Sequence, residues 1–276
     1  MKVAPKNATL TRLEPFVVAT PENLVFLDRS PLGLPIADDA CFDPLRMSSE
    51  PFLTLLSRLD ALSFGPEGMP MPRWLFFDGA EMPGAIVGLA RRGAAISEAA
   101  RRLFELDDGY EGLVPYAMYI AIPTVEEGTW FGHNLASIGP QLPEEGLRGL
   151  GSLTKALALA ALRCQQQVGA TQWDSHALHV HIRLGPLALL TAWTPAHSEP
   201  WSLTYRASVT EPALLHLARD PRGKVTLPAP DRWVAAGDHD AMQTLQAEIE
   251  AGARYVVCGA PRTARDGVEV PIARTS

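Results

Sequence analysis

The sequence predicts a mixed α+β fold, with a mostly antiparallel twisted central sheet flanked by helices, and three observations lead there. Short apolar and β-branched runs come in pairs around turn residues, the pattern of hairpins. Two longer segments carry apolar residues at three-and-four spacing, the pattern of helices packed on one face. The chain has 276 residues, 47% of them hydrophobic and 20% charged, enough apolar side chain to offset the entropy of ordering a sizeable core.

Taken in order, residues 1–50 are rich in Pro, Asp and turn residues. They read as an irregular N-terminal segment packed on the main domain, with Leu24–Leu27 as a short strand. Pro31, Pro35 and Pro44 fix φ and remove backbone donors between Asp28 and Asp43. The main domain is placed at 51–210. It opens with a helix over 51–64, where Phe52, Leu55, Leu56, Leu59 and Leu62 share a face, Pro51 suits the first turn and Gly65 the stop. Trp74–Phe77 and Ala85–Ala90 read as strands of a hairpin turning at Asp78-Gly79, and 95–105 as a short helix. Tyr116–Ile122 and Thr129–Ile138 form the next strand pair, turning at Glu126-Glu127-Gly128. A Pro- and Gly-bearing loop over 139–151 leads into a long helix reaching about Gln167. A strand at 170–173, a short helix near 176–184 and strands at 187–193 and 201–209 complete this part. Residues 211–276 are a C-terminal extension, with a helix over about 238–251 capped by Asp238 and a strand over about 254–258.

Charge and cysteine usage narrow the function. The net charge is −7 and the arginines are scattered in short pairs such as Arg91-Arg92, so nucleic acid is not the expected partner. Cys41, Cys164 and Cys258 are far apart and form no CxxC pair, which supports neither a disulfide framework nor a cysteine zinc site. The most apolar stretches, 156–162 and 184–193, are too short to cross a bilayer. The expectation is a soluble, cytoplasmic protein with no membrane partner.

The most informative stretch runs Leu142-Pro143-Glu144-Glu145-Gly146-Leu147-Arg148-Gly149-Leu150-Gly151-Ser152. Gly146, Gly149 and Gly151 allow tight turning and close approach to a ligand. The helix that follows starts with amides that have no partner inside it, and its dipole favours an anion. Glycines before a helix also occur in purely structural turns. In a dinucleotide-binding fold an acidic residue follows about twenty positions on, and Asp174 lies near that distance. The hairpin-linked strands before the loop do not suit that parallel fold.

With those residues in place the sequence resembles the GNAT superfamily of N-acetyltransferases. That family holds the pyrophosphate of acetyl-CoA on a Q/R-x-x-G-x-G/A loop between its fourth strand and third helix, and Gly146-Leu147-Arg148-Gly149-Leu150-Gly151 occupies that place. Gly146 stands where the family has Gln or Arg. The segment 175–185 is similar to the family's fourth-helix pattern N-x-x-A-x-x-x-Y-x-x-x-G-F, with Ala177 and Gly185 in register, His181 in place of the Tyr and Pro186 in place of the Phe. The resemblance covers about residues 70–210.

It implies acetyl-CoA or another acyl-CoA as co-substrate, held by Gly146, Leu147, Arg148, Gly149, Leu150, Gly151 and Ser152, with no metal. It implies direct transfer to an amine of a small molecule or peptide. The oxyanion is then stabilised by backbone amides of a split fourth strand. His133 is the preferred base ahead of Glu126 and Glu127, and His181 takes the place of the proton-donating Tyr. Tyr119, Trp130 and Asn134 are expected to line an acceptor pocket, although aromatic residues in alternating strands are more often core. The C-terminal extension is expected to cover the acceptor cleft or to pair with a second copy as a homodimer.

Two other classes compete. If 174–181 were a strand, His179 and His181 would share a face. With His176, Asp174 or His197 they would then suit a metal-dependent hydrolase or oxygenase. A protein of the same fold that binds acyl-CoA or a metabolite without catalysis is the third reading, because the Tyr position and the first position of the glycine motif are altered.

Overall fold

One long sheet carries the chain, and its strand order places a gap at its centre. The computed structural model describes residues 7–68, 70–81, 84–197, 199–223, 225–265 and 267–275. The first strands are β1 (Glu14–Val18), β2 (Ala85–Arg92), β3 (Leu113–Pro123) and β4 (Thr129–Ser137). They lie side by side and antiparallel. β5 (Gln166–Gln172) joins β4 in parallel, and β7 (Ser202–Ser208) lies antiparallel between β5 and β6 (Leu187–Thr191). β9 (Arg254–Val257) extends the sheet from β6, and β11 (Gly267–Thr275) from β9. β10 (Arg262–Ala264) pairs with β11 on the same side as β9, and β8 (Arg232–Ala235) pairs with its outer side. At the other end Cys41–Phe42 adds a two-residue parallel edge to β1.

The helices follow the apolar periodicity. α1 (Glu50–Phe64) buries Phe52, Leu55, Leu56 and Leu59, as its three-and-four spacing predicts. α3 (Leu150–Ala161) is buried on nearly all sides, and its alanines and leucines let it press against β2, β3 and β4. α4 (Ala177–His181) is short, α5 (Glu211–Arg219) packs on α3, and α6 (His239–Glu250) starts at the Asp238 cap.

Three local expectations are corrected. Leu24–Leu27 is not a strand: Pro21–Leu24 is a single helical turn capped by Thr20, and Val25 and Phe26 are exposed. Trp74–Phe77 is not half of a hairpin but opens α2 (Trp74–Glu81). Asp78-Gly79 therefore sits inside a helix, where a Cβ at Gly79 would meet Ile120 Cγ2 at 3.2 Å. The helix expected to reach Gln167 ends at Ala161, and Arg163 takes a positive φ of 51° so that the chain can turn into β5. The N-terminal fifty residues also supply β1, whose four residues Pro15–Val18 are fully buried between β2 and Cys41–Phe42.

Gly88 shows how tightly β1, β2 and β3 meet. A Cβ there would lie 2.2 Å from Ala117 O and 2.4 Å from Phe16 Cζ. Gly88→Ala is expected to cost about 1–3 kcal/mol through overpacking, read as a lower urea midpoint at unchanged m-value.

Candidate active-site cleft

β4 and β5 begin as neighbours and then part. Their parallel pairing runs from Thr129 opposite Gln166 to Gly132 opposite Gly169, and stops. Beyond that point β4 stays paired with β3 as far as Ser137, and β5 with β7 as far as Gln172. The gap therefore opens inside the sheet, between strands that each keep their outer partner. Ile120 faces Asn134 and Ala121 faces Gly132, which makes His133 the extra residue of a β-bulge at the point of separation. Such a bulge bends its strand and interrupts the ladder.

A cleft of about 1230 Å³ occupies the opening, bordered by Leu135 and Ser137 of β4, Gln172 beyond the split on β5, the loop 139–151 and the start of α4. Its phosphate-sized feature is the glycine loop. Gly146 closes a short turn at φ 64°, and Gly149 caps α3 at φ 69°, both left-handed positions that favour glycine. The first amide of α3 with a backbone partner is that of Leu153, which donates to Gly149 O at 3.0 Å. Among the described residues the amides of Leu150, Gly151 and Ser152 have no such partner. They sit at the positive end of a twelve-residue helix. Arg148 and Arg222 also line the cleft, both exposed. Arg222 is next to Pro221, whose side chain packs on Gly149, and Arg183 Nη1 holds the neighbouring Gly223 O at 3.0 Å. Two guanidinium groups and a helix N-terminus thus gather at one part of the cleft, an arrangement suited to a pyrophosphate.

Glu145 ties this loop to the sheet. Its carboxylate takes Arg91 Nη1 at 2.5 Å and the Tyr116 hydroxyl at 3.0 Å, while Arg12 Nη1 donates to its backbone carbonyl at 2.6 Å. Burial pushes the Glu145 pKa up, but hydrogen bonds from Ser97 and Tyr116 and the charge of Arg91 outweigh that, and the net shift is downward.

The other candidate residues fall outside the cleft lining, and of them His133 is placed at the split itself. His133 sits at the bulge; although the residue as a whole is exposed, its surroundings desolvate the imidazole and lower its pKa. A neutral imidazole at neutral pH is the form a base requires. Asn134 does not open onto a ligand. Its amide donates to Asp60 Oδ1 at 3.1 Å, and Asp60 Oδ2 accepts from the Met71 amide at 2.6 Å, which pins the loop after α1 to β4. Burial raises the pKa of Asp60. Trp130 is half-buried against the core.

Tyr119 is buried, and its hydroxyl accepts from Gln167 Nε2 at 2.7 Å; the same amide reaches the Tyr205 hydroxyl at 3.1 Å. His181 points the same way, into the interior: its Nδ1 lies 2.6 Å from Lys155 Nζ and its ring 5.1 Å from Tyr205. Burial depresses the pKa of both His181 and Lys155. His133, Asn134, Tyr119, Trp130 and His181 are therefore not among the cleft-lining residues. Sequence reasoning missed Glu199, Trp201 and Arg222, which do line it. The segment 177–181 is helical, so His179 and His181 diverge and the shared metal-binding face required of a strand does not form.

No family profile and no curated protein sequence matches this chain. Among solved structures it is similar to aminoglycoside 6'-acetyltransferase type Ii, at 13% identity and a TM-score of 0.39, over 59% of this chain and 93% of that one. It is similar to the ribosomal-protein-S18-alanine N-acetyltransferase from Escherichia coli, at 10% identity and 0.35, over 60% and 91%. A third is an acetyltransferase (GNAT family) from Bacillus anthracis, at 8% and 0.36, over 59% and 90%. These likenesses are distant. The order and pairing of β1 to β7, the split after Gly132 and the glycine loop between Thr129–Ser137 and the helix Leu150–Ala161 are features of the chain itself. On those features this chain has the mostly antiparallel sheet flanked by helices that the sequence predicts.

Proposed function

We propose that the chain is an acyl-CoA-dependent N-acyltransferase that moves an acyl group from coenzyme A to an amine of a small molecule or peptide. One observation carries this reading. The opening between β4 and β5 ends at a glycine loop whose helix presents the unpartnered amides of Leu150, Gly151 and Ser152, with Arg148 and Arg222 beside them. A pyrophosphate held there leaves the gap between the strands for the rest of the co-substrate.

The reaction needs little from the protein beyond position and proton handling. A neutral amine nitrogen attacks the thioester carbonyl carbon. The C–S bond breaks as the tetrahedral oxyanion collapses, and an amide and a thiol result. The proton lost by the amine passes to a base, and the leaving sulfur takes one up. His133, at the bulge and with its pKa lowered by desolvation, is the base in this reading. Backbone amides of β4 at the split serve the oxyanion.

Release of free thiol from acetyl-CoA in the presence of primary amines tests the proposal. Expected is amine-dependent release whose kcat/KM falls on the acid side with a midpoint below the ordinary histidine value of 6.5. Loss of a general base costs about 100-fold or more, so His133→Gln is expected to lower kcat/KM by that factor and to remove the acid limb. A second reading is favoured by the inward position of His181, which leaves the family's usual proton-donor position outside the cleft. Coenzyme A binding with no thiol release from any amine would establish that reading, a binding protein without catalysis.

A further inference from the structure

The wall of the cleft next to β5 is supported from the far end of the chain. Trp201 lines the cleft one residue before β7, and Ser202 pairs with Gln172, the last residue of β5. The indole of Trp201 stacks on the His239 ring, with centroids 5.4 Å apart and planes 8° apart. Trp193 packs on the same imidazole at 5.3 Å and 59°. His239 is the first residue of α6, and the same helix accepts the Ala192 amide on Gln246 Oε1 at 2.8 Å. The connection between β6 and β7 that carries Trp201 is thus held at two points by one C-terminal helix.

Resting on the acyltransferase reading, we infer that His239 is a positioning residue for acceptor recognition: with Trp193 it fixes Trp201 as the acceptor-side wall. The phosphate-binding features lie with the glycine loop and Arg222, next to Gly149. Trp201 lies instead with the end of β5, and belongs to the part of the cleft left for the acceptor. An indole whose position depends on a stacked partner supplies a rigid face at low entropic cost. Among the described residues none of Trp193, Trp201, His239 and Gln246 hydrogen-bonds to the glycine loop, so the arrangement acts on amine binding and leaves coenzyme A binding unchanged. Residues after 210 are in this way part of the site.

The test uses the full chain, acetyl-CoA, and a diamine, an amino sugar and a peptide α-amine as acceptor probes. Amine titrations into protein saturated with coenzyme A are followed by the Trp201 part of the emission, taken as wild type minus Trp201→Phe, and by steady-state thiol release. An aromatic pair is worth about 2- to 10-fold in binding, so His239→Ala is expected to raise the amine KM and the midpoint of the emission response by that factor. The kcat is expected to stay within about twofold, and His239→Phe, which keeps a stacked ring, restores the wild-type midpoint. The inference is overturned if amines leave the Trp201 emission unchanged, if His239→Ala shifts coenzyme A affinity instead, or if His239→Phe behaves as His239→Ala. Failure of the wild type to bind coenzyme A is a different result; it overturns the acyltransferase reading and the inference with it.

Discussion

Gly151→Asp is expected to abolish coenzyme A binding while leaving the protein folded. Gly151 is the second residue of α3, and a Cβ there would meet only Leu135 Cδ2 at 3.7 Å and Val180 Cγ2 at 4.0 Å, ordinary contacts. Its backbone needs no left-handed φ. An acidic residue in the first turn of a helix is favourable by about 0.3–1 kcal/mol, so unfolding is not the expected outcome. The same carboxylate would face a bound pyrophosphate. Two like charges about 4 Å apart near a protein surface repel by about 4 kcal/mol, which corresponds to roughly 1000-fold in affinity. Calorimetric titration with coenzyme A, beside a denaturant curve of the same variant, separates the two effects. Gly149→Ala makes the contrast: a positive φ and a Cβ 2.5 Å from Pro221 Cβ make that change destabilising in itself.

Glu145→Ala is expected to have the largest effect on stability. Its removal leaves Arg91, only 14% exposed, facing Tyr116 without a counter-charge. Breaking a buried pair in this way costs about 3–5 kcal/mol, a large part of the stability of an ordinary domain. The loss is read from urea unfolding. Coenzyme A affinity should fall as well, because the glycine loop begins at the next residue.

The pH dependence of Glu145 follows from the direction of its shift. Its folded pKa lies below the ordinary 4.5, so the unfolded chain binds the proton more readily than the folded one. Its contribution is complete above the unfolded pKa and is lost as pH falls through the folded value, in acid below 4.5. Glu145→Ala should therefore lie well below wild type in stability at neutral pH, and the two should converge as the pH is lowered.

The parts of the fold that were legible in the sequence are those where one physical signal decides. The α1 face, the strands around Glu126-Glu127-Gly128, the Asp238 cap and the glycine loop each carry a period or a cap that tertiary packing has no reason to override. Trp74–Phe77 was not legible because four apolar residues suit a buried strand as well as a buried helix. The Asp78-Gly79 turn signal then tipped the reading the wrong way, when Gly79 is small because α2 lies close against Ile120. The end of α3 was obscured by Gln165, Gln166 and Gln167, good helix formers of which the last two are drawn into β5 by pairing with β4.

At the site, sequence located what depends on backbone conformation and missed what depends on long-range placement. Gly146 and Gly149 announce left-handed turns, and Gly151 the start of a helix. Nothing local distinguishes His181, turned toward Lys155, from a histidine in a cleft. Asn134 and Tyr119 are likewise claimed by Asp60 and Gln167, partners 74 and 48 residues away in the chain. Trp201 gave no signal as a cleft residue, because what brings it there is β7 pairing with β5 and the stack on His239.

Hydrogen exchange of the backbone amides with and without coenzyme A tests the central claim most directly. If Leu150, Gly151 and Ser152 hold the pyrophosphate, a peptide covering 147–153 exchanges more slowly when coenzyme A is bound, and the protection disappears in Gly151→Asp. Coenzyme A that raised the melting temperature but protected only segments away from this loop would contradict the account.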